Sequence, residues 1–393
     1  MPANTIPLFL DCDPGIDDAI AIAYLLCQRD VEIVGIAASG GNVSTAQVVR
    51  NTLGWLELAG RTELPVYRGV AQPLAQTADA VEAADVTDPA DATNLTDPAD
   101  PADPAYAEVT HGDTGSGYAT LPEPSFSTRD TSAAQAWVDA ARAHPGELIG
   151  VVIGPSTNLA LALEIEPELP RLVKRLFVMG GAFNYRGNTH PTTEWNITFD
   201  PEAAARVFAA FGDAFTAGNA PFAPVIGPIE ATEMVEMTPE RLATILTASS
   251  PTPAWSAVLR ELGEALRFYF EFHAADGHGY LAHIHDPYVT ATAVEWARGE
   301  LAGEQQARGE LASESRAGSA APATGSLPWA TIAFAPVDVE LTGTLTRGET
   351  VADWLGRWNK PVNAEIIRSV DAPAFLDHLT DTLMEGPHDG HTR

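Results

Sequence analysis

The sequence predicts a single α/β domain with a mostly parallel central sheet flanked by helices. Three observations carry that prediction. Short apolar runs ending in Gly, Pro or acidic residues alternate with helical stretches through the first half of the chain. Several of those runs are near-continuously apolar, as strands buried on both faces require. Hydrophobic residues make up 45% of 393, enough for one large core.

Ile6 to Cys12 reads as the first buried strand. Asp17 and Asp18 then open a helical stretch, where acidic side chains suit the positive end of a helix. Val31 to Ala38 is a second strand, followed by Gly40-Gly41-Asn42, and residues 44–59 form a second helix. Leu148 to Ile153 and Arg175 to Met179 are further strands, each followed by Gly. Strand-like segments resume at Ala330 to Ala335 and Val337 to Leu341. Ligands of such sheets sit beyond the carboxyl ends of the strands, so the informative loops follow Leu10, Ala38, Ile153 and Met179.

Two stretches break the pattern. Residues 75–107 carry Asp-Pro-Ala repeats without Lys or Arg, and residues 298–326 are rich in Ala, Gly, Glu and Ser. Neither composition buries a core, so both are expected to be flexible insertions within one domain spanning residues 1–393.

The formal net charge of −31, from 22 basic and 53 acidic side chains, opposes a nucleic-acid partner, whose phosphates would be repelled. It suits a protein that handles neutral or cationic small molecules. Cysteine is limited to Cys12 and Cys27, as expected in a reducing cytoplasm. The N-terminus lacks a basic leader, and no apolar run reaches the ~18–20 residues of a membrane span. A soluble cytoplasmic protein without a membrane partner is expected.

The acidic cluster is the chemical centre. Asp11, Asp13, Asp17 and Asp18 lie within Asp11-Cys12-Asp13-Pro14-Gly15-Ile16-Asp17-Asp18, where a strand ends, a Pro-Gly turn follows and a helix begins. Carboxylates packed this closely repel one another unless a cation neutralises them or some stay protonated. The donors are all oxygen, which favours Mg²⁺ or Ca²⁺ over Zn²⁺. Helix capping by Asp17 explains one or two of the four carboxylates, not all.

This segment resembles the N-terminal signature of the inosine-uridine preferring nucleoside hydrolases. Later segments extend the resemblance in order: Gly41-Asn42-Val43, Ile153-Gly154-Pro155-Ser156-Thr157-Asn158, Met179-Gly180-Gly181-Ala182, Gly187-Asn188, Glu194-Trp195-Asn196 and His285-Asp286-Pro287. The resemblance implies a nucleoside hydrolase fold, and an enzyme that hydrolyses the N-glycosidic bond of ribonucleosides to ribose and free base. It implies Ca²⁺ held by Asp13, Asp18, Asp286 and the backbone carbonyl of Ile153, with Asp13 as general base toward a calcium-activated water. It implies that Asp17 and Asn42 bind the 2′-hydroxyl, that Asn188, Glu194 and Asn196 surround the rest of the ribose, and that His285 assists departure of the base. A ribosyl centre that becomes positive as the bond breaks would be stabilised by such a wall of oxygen donors. Salvage of nucleosides and a homodimer or homotetramer are further implications. The His at 285 places the chain with the pyrimidine-leaning or mixed inosine/uridine members rather than the strictly purine-specific ones.

Some segments fit less closely. His111-Gly112-Asp113-Thr114-Gly115 is similar to the family's loop over the base, with altered Gly spacing, so His111 is either a base contact or an ordinary loop residue. Phe268 to His273 has two readings, core or base pocket. His278, Tyr280 and His283 are candidates for a closing lid. Gly227-Pro228-Ile229-Glu230-Ala231-Thr232 departs from the expected Asp-Val-Thr and suggests no role. Two rivals share parts of the pattern. A haloacid-dehalogenase-like phosphohydrolase also opens with Asp-x-Asp, but has Thr or Val where this chain has Gly15. A non-catalytic nucleoside-binding protein would have lost Asp13, Asp18, Asp286 or Asn196, all of which are present.

Overall fold

The computed structural model describes residues 5–75, 106–248, 251–311 and 326–387. Twelve strands are found among them: β1 Ile6–Cys12, β2 Val31–Ala38, β3 Val66–Arg68, β4 Leu148–Val152, β5 Val173–Met179, β6 Val225–Gly227, β7 Glu236–Met237, β8 Ala282–His283, β9 Ala330–Ala335, β10 Val337–Val339, β11 Thr350–Ala352 and β12 Ala364–Val370. Eight of these form one sheet in the order β3-β2-β1-β4-β5-β6-β12-β9. Every pairing in it is parallel except β12 with β9 at the edge. The α/β expectation is met, with β1 near the middle.

Every residue of β1 is buried, because helices cover both faces of the sheet. Leu8, Leu10 and Cys12 join one core, with the Ile16–Leu26, Pro253–Ala275 and His285–Leu311 helices. Phe9 joins the other, where its ring centre lies 4.3 Å from that of Trp137 on the Ala133–Ala143 helix. Period-two alternation therefore sends neighbouring side chains into different cores, and burying each large one stabilises the fold by about 1.5–3 kcal/mol. A buried ion pair ties β5 to β12: Arg175 meets Glu365 at 2.6 Å, with the Trp296 ring centre 4.5 Å from the guanidinium carbon.

One expectation is corrected. The stretch from residue 298 does not begin as a flexible insertion, because the helix that starts at His285 runs on to Leu311. Ala, Glu, Gln, Leu and Arg there are all good helix formers, and propagation from an existing helix is favourable. Residues 312–325 and 76–105, nearly all that remains of the two expected insertions, lie outside the described residues.

Candidate functional site

The strand order reverses at β1. Its neighbour β2 leads to one edge of the sheet and its neighbour β4 to the other, which leaves a crevice beyond their carboxyl ends. The loops after β1, β2, β4 and β5 meet there, as the sequence reading expected.

Asp11, the last residue but one of β1, lies on the Trp137 side. Its carboxylate accepts bonds from Ser39 Oγ at 2.6 Å, Trp137 Nε1 at 2.8 Å and Asn158 Nδ2 at 3.0 Å. It is fully engaged by groups from three other segments and ties their loops to the end of β1.

Asp13 is completely buried. Its Oδ2 accepts from the Asn42 backbone N–H at 2.7 Å, while Oδ1 is buried without a hydrogen-bond partner. Backbone presses on it from two sides. A Cβ on Gly154 would lie 2.5 Å from Oδ1, and one on Gly41 would lie 2.9 Å from the carboxyl carbon. Glycine is needed at both positions to let the chain pass.

Asp18, in the first turn of the Ile16–Leu26 helix, closes the loop on itself. It accepts from Asp13 N at 3.1 Å and Gly15 N at 3.0 Å, and Asn42 Nδ2 adds a third donor at 3.3 Å. Asp17 Oδ2 accepts from the backbone N–H of His285 at 3.2 Å, which docks the start of the His285–Leu311 helix. Asp286 follows in that helix's first turn. Among the described residues, Asp17, Asp18 and Asp286 have carboxylate oxygens within 4.8 Å of one another.

Burial pushes these carboxyls up. Asp13 and Asp286 lie well above the usual range, first through burial and then through the charges of their acidic neighbours. Asp17 is raised to about 7 by burial and Asp18, and Asp18 to about 6 by burial against several hydrogen bonds. An unpartnered carboxylate oxygen surrounded by buried acids is an arrangement that a cation would satisfy. All-oxygen donors fit a hard divalent ion.

The far wall comes from the loop after β5 and the short Trp195–Phe199 helix. Asn196 Nδ2 donates to Ile153 O at 2.9 Å and to Met179 O at 3.2 Å, which fixes the amide against two strand ends. Glu194 caps this helix, accepting from Asn196 N at 2.8 Å, Gly181 N at 3.0 Å and Ile197 N at 3.2 Å. Burial nevertheless raises its carboxyl to about 7. Asn188 lies on the more exposed rim, where its Oδ1 accepts from Trp195 N at 2.9 Å.

Two histidines stand opposite. His111, in the Glu108–His111 turn, accepts the Ile16 N–H at Nδ1, 3.1 Å away, so its neutral ring carries the proton on Nε2. Burial lowers its pKa to about 3. His285 meets Thr232 Oγ1 at 2.7 Å through Nδ1. The Thr232 hydroxyl donates to Pro228 O at 3.2 Å, which leaves its oxygen to accept from the imidazole. Thr232 belongs to the segment that suggested no role, and its partner lies 53 positions away. No signal in the sequence could have joined them.

A cavity of about 350 Å³ is lined by Asp17, Asn42, His111, Ile153, Asn188, Glu194, Asn196, His285 and Asp286. Asp13 and Asp18 lie buried beside it. The aromatic stretch divides between its two readings: Phe270 is core, while Tyr269, Phe272 and His273 face the cavity. His278 and His283 also line it, but Tyr280 stands outside and half exposed. A larger groove of about 500 Å³ runs between the Pro239–Thr247 and Pro253–Ala275 helices, lined largely by residues such as Leu242, Leu246 and Leu259; Phe270 and Tyr280 reach it, but none of the acidic, amide or histidine residues of the site does.

Comparison with known proteins gives a consistent result. Residues 8–377 match the family model described as inosine-uridine preferring nucleoside hydrolase. The pyrimidine-specific ribonucleoside hydrolase RihA of Citrobacter koseri is 29% identical, over 96% of this chain and 98% of that protein. The RihA proteins of Escherichia coli strains match to the same extent. Among solved structures, a plant nucleoside hydrolase aligns with a TM-score of 0.72 at 25% identity, covering 96% of this chain and 99% of its own. A purine-preferring ribonucleoside hydrolase from Gardnerella vaginalis gives 0.71 at 25%, covering 96% and 98%.

Proposed function

The chain belongs to the inosine-uridine preferring nucleoside hydrolase family and is a ribonucleoside hydrolase; from that premise we propose how its residues divide the reaction. Asp13, Asp18, Asp286 and the carbonyl of Ile153 would hold Ca²⁺, which supplies positive charge that acidifies a nearby water and orients the ribose diol. Asp13 takes the proton from the attacking water. The observation that carries this assignment is Oδ1 of Asp13, the one fully buried carboxylate oxygen among the described residues that has no hydrogen-bond partner.

The remaining groups position and stabilise. Asp17 and Asn42 engage the 2′-hydroxyl, and Asn188, Glu194 and Asn196 surround the rest of the sugar. As the C1′–N bond breaks, positive charge grows on the ribose, and the preorganised oxygens favour that state over the neutral substrate. The bond's electron pair leaves with the base, and His285, whose own proton is held on Nδ1 by Thr232, passes to the departing ring a proton taken up from solvent at Nε2. His111, with its ring proton on Nε2, lines the same cavity. Pyrimidine or mixed inosine/uridine preference is supported by the pyrimidine-specific relatives and by the histidine-rich base end. A homodimer or homotetramer acting in cytoplasmic nucleoside salvage completes the reading.

The test is ribose release from uridine, cytidine, inosine and adenosine, with Ca²⁺ and with chelator. Uridine or cytidine should be cleaved, chelation should stop it, and Asp13→Ala should lose about 10²–10⁴ of the rate. No ribose from any nucleoside removes the reading; cleavage of purines alone overturns the base preference; ordinary turnover by Asp13→Ala removes Asp13 as the base.

A further inference from the structure

We propose that His273, His278 and His283 form a second cation site, built of nitrogen and suited to a borderline divalent ion such as Zn²⁺, in the wall of the cavity and separate from the Asp17, Asp18 and Asp286 cluster. The placement of the base there rests on the function proposed above; the site itself does not. Three imidazoles bound through Nε2 to one tetrahedral ion place their ring centres roughly 5 Å apart. Here His273 and His283 are 4.8 Å apart, His278 and His283 are 5.1 Å apart, and His273 and His278 are 6.0 Å apart.

The hydrogen bonds prepare the rings for ligation. His273 Nδ1 faces Tyr269 O at 2.9 Å, and His283 Nδ1 faces Glu233 O at 2.6 Å. A carbonyl only accepts, so both rings carry their proton on Nδ1 and direct the lone pair of Nε2 elsewhere. Anchoring one nitrogen to a backbone carbonyl is how metal-ligating histidines are oriented. His283 Nε2 is buried without a partner, in a side chain that is itself almost wholly buried. Burial and the neighbouring imidazoles lower the pKa of His273 to about 4 and that of His283 below its usual value, so both are neutral at pH 7.

His278 is the movable member. Its Nε2 rests 3.4 Å from Asp276, and the acidic trio is the one set among the described residues whose donors are already gathered. Closing the nitrogen site therefore takes a turn of the His278 ring, and Asp276 is a ready fourth donor beside it. Nitrogen donors discriminate: Ca²⁺ and Mg²⁺ prefer the carboxylates, whereas Zn²⁺, Ni²⁺ and Co²⁺ suit imidazole. An ion held here would occupy the space of the nucleobase and inhibit in competition with substrate.

The experiment uses the full chain with saturating Ca²⁺. Zn²⁺ is titrated by calorimetry, and Co²⁺ by its visible absorption, which is intense for a tetrahedral nitrogen site. The expected result is one further equivalent per chain, weakened in His273→Ala and His278→Ala by at least the ~10-fold that loss of an outer-shell partner alone costs. His278 is the safer position because its ring is partly exposed; His278→Gln controls for lost packing, and thermal melts confirm folding. Unchanged Zn²⁺ affinity in the folded variants, or displacement of all Zn²⁺ by excess Ca²⁺, overturns the proposal. Both readouts are independent of turnover: a protein that binds Zn²⁺ through these rings but releases no ribose would refute the proposed function alone.

Discussion

Replacing Gly154 by alanine tests whether the position of Asp13 limits the reaction. The added methyl carbon would sit 2.5 Å from Asp13 Oδ1, 3.0 Å from its carboxyl carbon and 3.1 Å from its backbone nitrogen. Ordinary contact begins near 3.4 Å, so the carboxylate must retreat by nearly 1 Å. Retreat is resisted on the other side, where Asn42 N grips Oδ2 at 2.7 Å and Gly41 leaves no slack. Gly154 is not in the left-handed region, so alanine adds no backbone strain. The fold should therefore lose only the ~1–3 kcal/mol of local overpacking. Over some 390 residues that lowers the Tm by about 1–4 °C. Catalysis should suffer more, since a misplacement of about 1 Å costs on the order of 10²-fold. Initial rates of ribose release, set beside a thermal melt, measure both quantities. A folded Gly154→Ala protein with kcat within about threefold of the parent would refute the view that Asp13 is held in a working position by these two glycines.

Thr232→Val keeps the shape but removes the hydroxyl that meets His285 Nδ1. Turnover of uridine should fall about 10-fold or more with KM nearly unchanged, while a p-nitrophenyl riboside, whose leaving group needs no proton, should be spared; equal losses on both substrates would count against His285 as the proton donor. In the cation-free protein, Asp17 and Asp18 are raised from 3.8 to about 7 and about 6. Groups raised in the folded state contribute stability that is full below their unfolded pKa and lost as pH rises through the folded value. The Tm in chelator should therefore drop between pH 5 and 8, and Ca²⁺ at 100 times its Kd should restore about 2.7 kcal/mol, about 3 °C for a chain this long; a Tm in chelator that stays level over that window would contradict it. Arg175→Met strands buried Glu365 and should cost about 3–5 kcal/mol in urea unfolding, with Glu365→Leu in the same chain recovering most of it; a single-variant loss under 1 kcal/mol would mean the pair is dispensable.

The parts legible in the sequence were those encoded locally. β1 announces itself as an apolar run, and the acidic turn after it is contiguous, so Asp13, Asp17 and Asp18 could be placed at a strand end from spacing alone. Asp286, Asn196 and Ile153 were reachable only through the family resemblance, because nothing local says which loops meet. The Thr232–His285 contact was invisible for the same reason: two short segments 53 residues apart touch only after β6, β7 and β8 are in place. The 268–273 stretch was ambiguous because a helix entering a cavity wall presents alternate sides to core and solvent, and periodicity does not say which side is which. The extension to Leu311 was misjudged because Ala-, Glu- and Gly-rich composition suits both a solvated helix and a loop; attachment to a preceding helix decided it.

The bond from His285 N–H to Asp17 joins residues 268 positions apart, and that separation sets an order of events during synthesis. At about 5–20 residues per second, the ribosome would deliver the first acidic loop roughly 10–50 s before the segment that completes it. Throughout that interval the nascent domain holds Asp13, Asp17 and Asp18 without Asp286 or the helix that seals them in. Their mutual repulsion would keep the early loop open and hydrated. The centre of the enzyme should be among the last places to become rigid, although its first residues are among the first to be made.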